Sequence, residues 1–186
     1  PGGQIGEAAL MRICVFCERL ALPLDEGIKN HAACLIAALR KGHEVLALTT
    51  FGEDIPALGI INIPSNRLLW SGALARAVRA FAPQLVLYIP TACATLFSFG
   101  RGRVLRLHAQ GAPVALVALQ PREYGWLARA LMPRLCPEVV LAQAERTWRS
   151  LEGLGCAVRR IAPGVDTERF QPASETQRVA LRQIAM

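Results

Sequence analysis

The residues best suited to bind an anionic ligand lie between the first apolar segment and the first helix expected from the sequence. Asp25, Glu26, Gly27, Lys29 and Asn30 follow one another closely in this loop. Gly27 would let the backbone approach a ligand, and free N–H groups at a helix start attract anions. An equally good interpretation is that the two carboxylates only stabilise the helix N-terminus.

A second candidate group follows the fifth expected strand and contains Gln120, Arg122 and Glu123. Arg122 could bind a phosphate or carboxylate, Glu123 could accept a proton, and Gln120 could hydrogen-bond a sugar. The same residues would also form an ordinary turn before a helix. Their position near the centre of the expected sheet gives the two interpretations equal weight.

Several cofactor-binding and catalytic motifs are absent from the sequence. No G-x-G-x-x-G follows the first strand, and neither a P-loop nor a G-x-S-x-G is present. The three histidines lack metal-ligand spacing. We expect His31 to pack in the core, His43 to lie exposed in a turn and His108 to lie on a helix surface. The sequence therefore predicts neither a metal site nor a resident cofactor.

Most of the six cysteines lie in apolar segments, where free cysteine behaves as a small buried hydrophobic residue. Free thiols predict a reducing cytoplasm. Cys14 and Cys17 have C-x-x-C spacing on an expected strand. Residues three apart on a strand point to opposite faces of the sheet, so we expect no metal between them.

The net charge of +7 comes almost entirely from arginine, since Lys29 and Lys41 are the only lysines. Such a surface favours phosphates, acidic lipid headgroups or nucleic acid, although a G+C-rich coding sequence gives the same bias. One segment mixes aromatic residues with cations, namely Phe97, Phe99, Arg101, Arg103 and Arg106. It fits a membrane or nucleic-acid patch, but a solvated helix face is the favoured interpretation.

Apolar strands alternate with amphipathic helices through most of the chain. Strands are expected at residues 13–17, 45–49, 60–63, 85–89, 114–119, 139–142 and 158–161. Helices are expected at residues 28–39, from Ser71 until Pro83, at 91–110 with interruptions at Gly100 and Gly102, near 124–131, and at 145–154. This alternation predicts an α/β fold with a doubly wound, mainly parallel Rossmann-like sheet and helices on both faces. Ligands should then bind at the carboxyl ends of the strands.

The chain resembles the family 4 retaining nucleotide-sugar glycosyltransferases, which have the GT-B architecture. Residues 11–45 are similar to the opening strand, glycine-bearing loop and helix of that family. Residues 139–146 are similar to its penultimate strand and the turn that follows. Residues 161–172 resemble its linker motif, I-x-x-G-V-D-x-x-x-F-x-P.

The resemblance implies half of a two-domain enzyme that transfers a sugar from a nucleotide-sugar donor to an acceptor hydroxyl with retention. Residues 11–166 would form the N-terminal, acceptor-side domain. Residues 1–10 would be a tag or upstream segment, and residues 167–186 the linker and the start of a missing C-terminal domain. Because half a cleft cannot exclude water, we expect no turnover by this chain alone.

The resemblance also implies roles for individual residues. Gly27 would approach the donor diphosphate and the acceptor, and Gly164, Val165 and Asp166 would form the interdomain junction. Gln120 holds the position where many members have a cleft histidine. The partners implied are a nucleotide sugar as co-substrate, a sugar or lipid-linked acceptor, and the missing domain. A cytoplasmic protein in peripheral contact with the inner membrane face is expected, and nucleic acid is not favoured.

Two alternatives remain open from the sequence. The first is a stand-alone, non-catalytic module that binds a nucleotide or phosphate. The second is a basic scaffold that binds membranes or nucleic acid. The coding frame beyond Met186 would distinguish the enzyme from the module, because a second Rossmann-like domain supports the former.

Overall fold

Strand and helix alternate from Arg12 to Arg160 in the computed structural model, which describes residues 9–91, 93–120 and 122–162. The strands are β1 (Arg12–Cys17), β2 (Glu44–Thr49), β3 (Ile60–Asn62), β4 (Leu85–Ile89), β5 (Val114–Ala118), β6 (Val139–Ala142) and β7 (Val158–Arg160). The helices are α1 (Gly27–Leu39), α2 (Gly72–Phe81), α3 (Leu96–His108), α4 (Trp126–Leu135) and α5 (Glu145–Glu152), and a 3₁₀ turn spans Pro56–Leu58. Ser71 caps α2, as predicted, because its hydroxyl accepts a hydrogen bond from the Leu74 N–H.

The strands form one sheet in the order β3-β2-β1-β4-β5-β6-β7, and all neighbouring strands pair in parallel. The predicted α/β fold with a parallel, Rossmann-like sheet is therefore confirmed. β1 lies inside the sheet, where Val15 is in register with Ala47 of β2 and with Leu87 of β4. The Gly27 and Gln120 loops follow the carboxyl ends of β1 and β5, so both lie at the same edge of the sheet.

The sheet buries both of its faces, which explains why its strands are almost continuously apolar. Cys14 and Phe16 belong to the apolar core that also contains residues of α2, α3, α4 and α5. Val15 and Cys17 belong to the opposite core, which contains residues of α1. Cys14 and Cys17 therefore point to opposite faces, as the strand period predicts.

The prediction that Gly100 and Gly102 interrupt the third helix is wrong, because α3 runs through both residues. The helix also begins at Leu96 rather than at residue 91. Thr95 and Ser98 form a capping box at this start, since each side chain hydrogen-bonds the backbone N–H of the other. Packing against the sheet outweighs the low helix propensity of glycine, since Gly102 is buried and faces Tyr88 and Val114.

Three local predictions are corrected by the structure. Cys136 and Cys156 are not free but form a disulfide with a Cα–Cα distance of 5.6 Å, because α5 and β6 return the chain to the end of α4. His108 is buried rather than on the surface, and its Nε2 lies 3.0 Å from the Leu69 carbonyl oxygen. His43 is partly buried rather than exposed. No helix in the described ranges is both long and apolar enough to cross a membrane.

Candidate functional site

The carboxyl edge of the sheet collects the loops that follow the strands. β1 and β4 are neighbours near its centre, and the chain leaves them in opposite directions, through α1 to β2 and through α3 to β5. Open α/β sheets bind their ligands at such a switch point. The edge around β1 and β4 is therefore the candidate functional site of this fold.

A buried polar cluster that the sequence did not predict lies at this switch point, with Glu18 at its centre. Only 3% of Glu18 is exposed. Its Oε1 accepts hydrogen bonds from the Tyr88 hydroxyl and, at 2.6 Å, from Nη1 of Arg101. Its Oε2 accepts hydrogen bonds from the hydroxyl and the backbone N–H of Thr91, at 2.7 and 3.1 Å. We call these four residues the Glu18 cluster.

In the Glu18 cluster, the negative charge of Glu18 and the positive charge of Arg101 are shielded from water as a pair. Burial, together with the nearby Glu18 carboxylate, raises the pKa of Tyr88 well above the usual value of a phenol. Burial opposes the charged form of Arg101, but the Glu18 carboxylate outweighs it and raises the pKa of the guanidinium. Tyr88 is therefore a neutral donor and Arg101 a permanent cation at neutral pH.

The Glu18 cluster connects several loops of the carboxyl edge. Nε of Arg101, in the second turn of α3, donates a hydrogen bond to the Arg67 carbonyl at 2.6 Å. The backbone N–H of Glu18 donates to the Ile89 carbonyl at 3.1 Å, and its carbonyl accepts from the Phe51 N–H at 2.8 Å. The segments that follow β1, β2, β3 and β4 are thus held together by one network.

The sequence-based interpretation of Phe97–Arg106 as a solvated helix face is wrong for two of its residues. Phe99 is fully buried, and Arg101 pairs with Glu18. A usable signal was present in the sequence, because Glu18 directly follows a fully apolar strand. A carboxylate held against the core needs a charged or hydrogen-bonding partner. The sequence alone did not identify which distant cation supplies it.

The five residues predicted after β1 lie close together, but they bond mainly within their own loop. Nζ of Lys29 lies 2.8 Å from Oδ1 of Asp25 and 3.6 Å from Oε1 of Glu26. The Asn30 side-chain amide donates to a loop carbonyl at 2.8 Å. The hydrogen bond from Lys29 lowers the pKa of Asp25, and Asp25 in turn raises the pKa of Lys29. The charge of Lys29 is therefore compensated inside the loop.

Gly27 is the first residue of α1 and faces open space. A Cβ at this position would have no atom within 4 Å. The preceding Glu26 makes no side-chain capping hydrogen bond, and the Asn30 N–H donates to the Glu26 carbonyl at 3.0 Å. The N–H groups of the first turn before Asn30 precede the helical hydrogen-bond ladder, so they can serve a ligand.

The residues predicted after β5 are exposed but are not joined to one another. Nη1 of Arg122 lies 3.4 Å from Sγ of Cys93, and this hydrogen bond raises the pKa of Arg122. Oε1 of Glu123 lies 2.7 Å from Nη2 of Arg146 in α5. The Gln120 side chain makes no hydrogen bond to any described residue. We call Gly27, Gln120 and Arg122 the open rim.

Tyr124 connects the loop after β5 to the loop after β4. Its hydroxyl donates a hydrogen bond to the Ala94 carbonyl at 3.0 Å. Burial, followed by the effect of nearby Cys93, raises the pKa of Tyr124 to about 12. This contact holds the loop that carries Arg122 against the start of α3.

The predicted interdomain junction, Gly164, Val165 and Asp166, lies outside the described residues. Within residues 9–91, 93–120 and 122–162, no group of histidine, cysteine, aspartate and glutamate side chains could hold a metal ion. No protein-family model matches the chain, and no curated protein matches it. Its function is therefore inferred from the fold and from the carboxyl edge of the sheet.

Proposed function

We propose that this chain is the acceptor-side half of a retaining glycosyltransferase that uses a nucleotide-sugar donor. The observation that supports the proposal most is that an all-parallel sheet leaves Gly27 and Gln120 open at the same edge. The linker-like motif at residues 161–172 supports it independently from the sequence.

In this proposal the open rim contacts the acceptor and donor, and the Glu18 cluster keeps the rim rigid. The Gln120 amide hydrogen-bonds an acceptor hydroxyl, and Arg122 binds an anionic group of either substrate. The first turn of α1 directs its N–H groups toward the diphosphate. Lys29, paired with Asp25, sets the shape of the loop rather than contacting the ligand.

The proposal assigns stabilisation of the departing diphosphate to a second domain. Sugar transfer needs a dry, closed cleft and groups that stabilise the charge developing on the leaving diphosphate. In this proposal the chain supplies one side of such a cleft. We therefore expect acceptor binding without turnover when this chain is assayed alone with a radiolabelled donor.

Two glycines provide a matched test of the open rim. A Cβ at Gly27 or at Gly42 would meet no atom within 4 Å, so a larger side chain fits at both positions. Gly42 lies between α1 and β2, at the opposite edge of the sheet. We expect saturation-transfer NMR to detect simple glycosides bound to the wild type and to Gly42→Leu, and affinity about tenfold lower for Gly27→Leu. Equal binding by both variants, or no glycoside binding by the wild type, would contradict the proposal.

A non-catalytic nucleotide-binding module is the second candidate, and the first turn of α1, without a side-chain cap, is the observation that favours it. The module would bind a nucleoside diphosphate through these N–H groups without help from another domain. Titration of UDP and GDP against the chain distinguishes the two functions. Tight binding that Gly27→Leu abolishes supports the module, whereas glycoside binding without nucleotide binding supports the transferase half.

A further inference from the structure

Three of the four helices on one face of the sheet have a one-sided charge composition. α2, α3 and α4 contact one another in that order, and their apolar residues enter the same core. None of them contains an aspartate or a glutamate. They contain seven arginines, which are Arg76, Arg79, Arg101, Arg103, Arg106, Arg129 and Arg134.

Only two of these arginines form ion pairs within the part of the chain that the structure describes. Arg101 pairs with Glu18, and Arg106 pairs with Glu138. The other five are exposed: Arg76, Arg79, Arg103, Arg129 and Arg134. Unlike Lys29 after β1, they have no carboxylate within ion-pair distance among the described residues. This layer therefore presents a concentrated positive charge.

The same helices expose large apolar side chains between the arginines. Their exposed fractions run from 39% at Leu131 to 81% at Trp126. Only Met132 of α4 is buried against the rest of the molecule. The exposed apolar residues used below are Phe97, Leu107, Trp126, Leu127 and Leu131 of these helices and Trp70 in the loop before α2. We call these residues and the five exposed arginines the arginine face.

A groove on the arginine face combines both kinds of side chain. Its volume is about 380 Å³, and its lining includes Trp70, Arg76, Arg79 and Leu107. Trp70 and Leu107 contribute apolar walls, and the two arginines lie one helical turn apart on α2. The groove thus offers positive charge directly beside apolar surface.

We propose that the arginine face docks on an anionic lipid bilayer. Basic residues gain from anionic headgroups, and tryptophan and leucine gain from burial at the boundary with the acyl chains. The phosphates of a nucleic acid would pair with the arginines, but the exposed leucines would gain little from such a partner. A nucleic acid therefore explains the basic residues of the arginine face and not its apolar ones. The contact is peripheral, and it goes beyond the proposed sugar transfer because it needs no sugar ligand.

Co-sedimentation of the full chain with vesicles tests the proposal. We expect binding to vesicles of phosphatidylcholine with phosphatidylglycerol, no binding to phosphatidylcholine alone, and weaker binding as salt increases. The side chains of Arg76 and Arg79 make no hydrogen bond to a described residue, so replacing them leaves the fold intact. Arg76→Ala with Arg79→Ala should weaken partition about 25-fold, because each charge contributes about fivefold.

Two controls test whether the location of a substituted residue matters, rather than only the change in net charge or apolarity. Arg19→Ala with Lys41→Ala removes the same charge at exposed positions outside the arginine face and should leave partition within about twofold. Trp126→Ser should weaken partition about tenfold, whereas Ile61→Ser on the edge strand β3 should not. Far-ultraviolet circular dichroism verifies that each variant is folded.

Three outcomes would overturn the proposal. The first is no sedimentation with anionic vesicles at low salt. The second is an equal loss of binding in both double variants, which would show that only net charge matters. The third is tighter binding to double-stranded DNA than to the vesicles, with no effect of Trp126→Ser. None of these outcomes bears on glycoside binding at the open rim, so the two proposals can fail separately.

Discussion

The Glu18 cluster and the open rim lie at the same edge of the sheet, but they differ in how far the fold satisfies their hydrogen-bonding groups. Each carboxylate oxygen of Glu18 accepts two hydrogen bonds from other parts of the fold. Gln120 at the open rim is exposed and makes no hydrogen bond to a described residue, and Gly27 faces open space. Polar groups that the fold satisfies contribute to stability, whereas those it leaves open are available to a ligand.

The loop after β1 is intermediate between these two cases. Lys29 is largely covered and paired, although its partners Asp25 and Glu26 are more than half exposed. A basic residue beside a glycine thus resembles an anion site in sequence, but its charge is already compensated. The contrast between buried, paired charge and open polar groups leads to three predictions.

Removal of Arg101 is expected to have the largest effect. Arg101→Ala leaves the Glu18 carboxylate buried without its cation, and breaking such a pair costs about 3–5 kcal/mol of unfolding free energy. Urea unfolding followed by circular dichroism measures this loss. Arg122→Ala, at the open rim, is the matched control and should leave the urea midpoint unchanged. Similar midpoints for the two variants would remove the distinction between the cluster and the rim.

A double variant sharpens this comparison. Glu18→Gln with Arg101→Met removes both charges and leaves the other residues of the cluster in place. Because Glu18→Gln removes the need for a counter-charge, the double variant should be more stable than Arg101→Ala alone. A double variant at least as unstable as Arg101→Ala would mean that the unpaired charge of Glu18 is not the cause of the instability.

The second prediction concerns Tyr88 and alkaline pH. Tyr88→Phe removes a hydrogen bond to a charged carboxylate, which costs about 2 kcal/mol at neutral pH. The pKa of Tyr88 is raised above its unfolded value of 10.0, so the folded state favours the protonated phenol. This contribution is fully present below pH 10 and is lost as the pH rises toward the folded pKa. The stability advantage of the wild type over Tyr88→Phe should therefore shrink above about pH 10.

Tyr124→Phe provides the comparison for the size of this loss at neutral pH. Its phenol donates to the Ala94 carbonyl rather than to a carboxylate, so its loss at neutral pH should be smaller, about 1 kcal/mol. Urea unfolding of all three proteins from neutral to alkaline pH gives both comparisons. A constant difference between the wild type and Tyr88→Phe across this range would contradict the assigned role of Tyr88.

The fold could be predicted from the sequence because its signals are local. The bounds of β4 and β6 match the apolar runs, and Ser71 caps α2, since strand period and capping chemistry depend on neighbouring residues. The Glu18–Arg101 contact spans 83 positions, and the Cys136–Cys156 pair spans 20. The periodicity of the sequence does not indicate which distant charged group or thiol becomes a neighbour in the fold. The open rim was found only because loops after parallel strands meet at one edge.

The smallest effect is expected for the ion pair between Glu123 and Arg146, which tests whether every charge pair at this edge acts like the Glu18 cluster. Their side chains are 87% and 71% exposed, so water screens the attraction and holding both side chains costs entropy. Glu123→Ala and Arg146→Ala should each change the unfolding free energy by about 0.5 kcal/mol or less. A double-mutant cycle measured by urea unfolding should give a similarly small coupling. A coupling as large as that between Glu18 and Arg101 would show that distance, rather than burial, determines the strength of pairs at this edge.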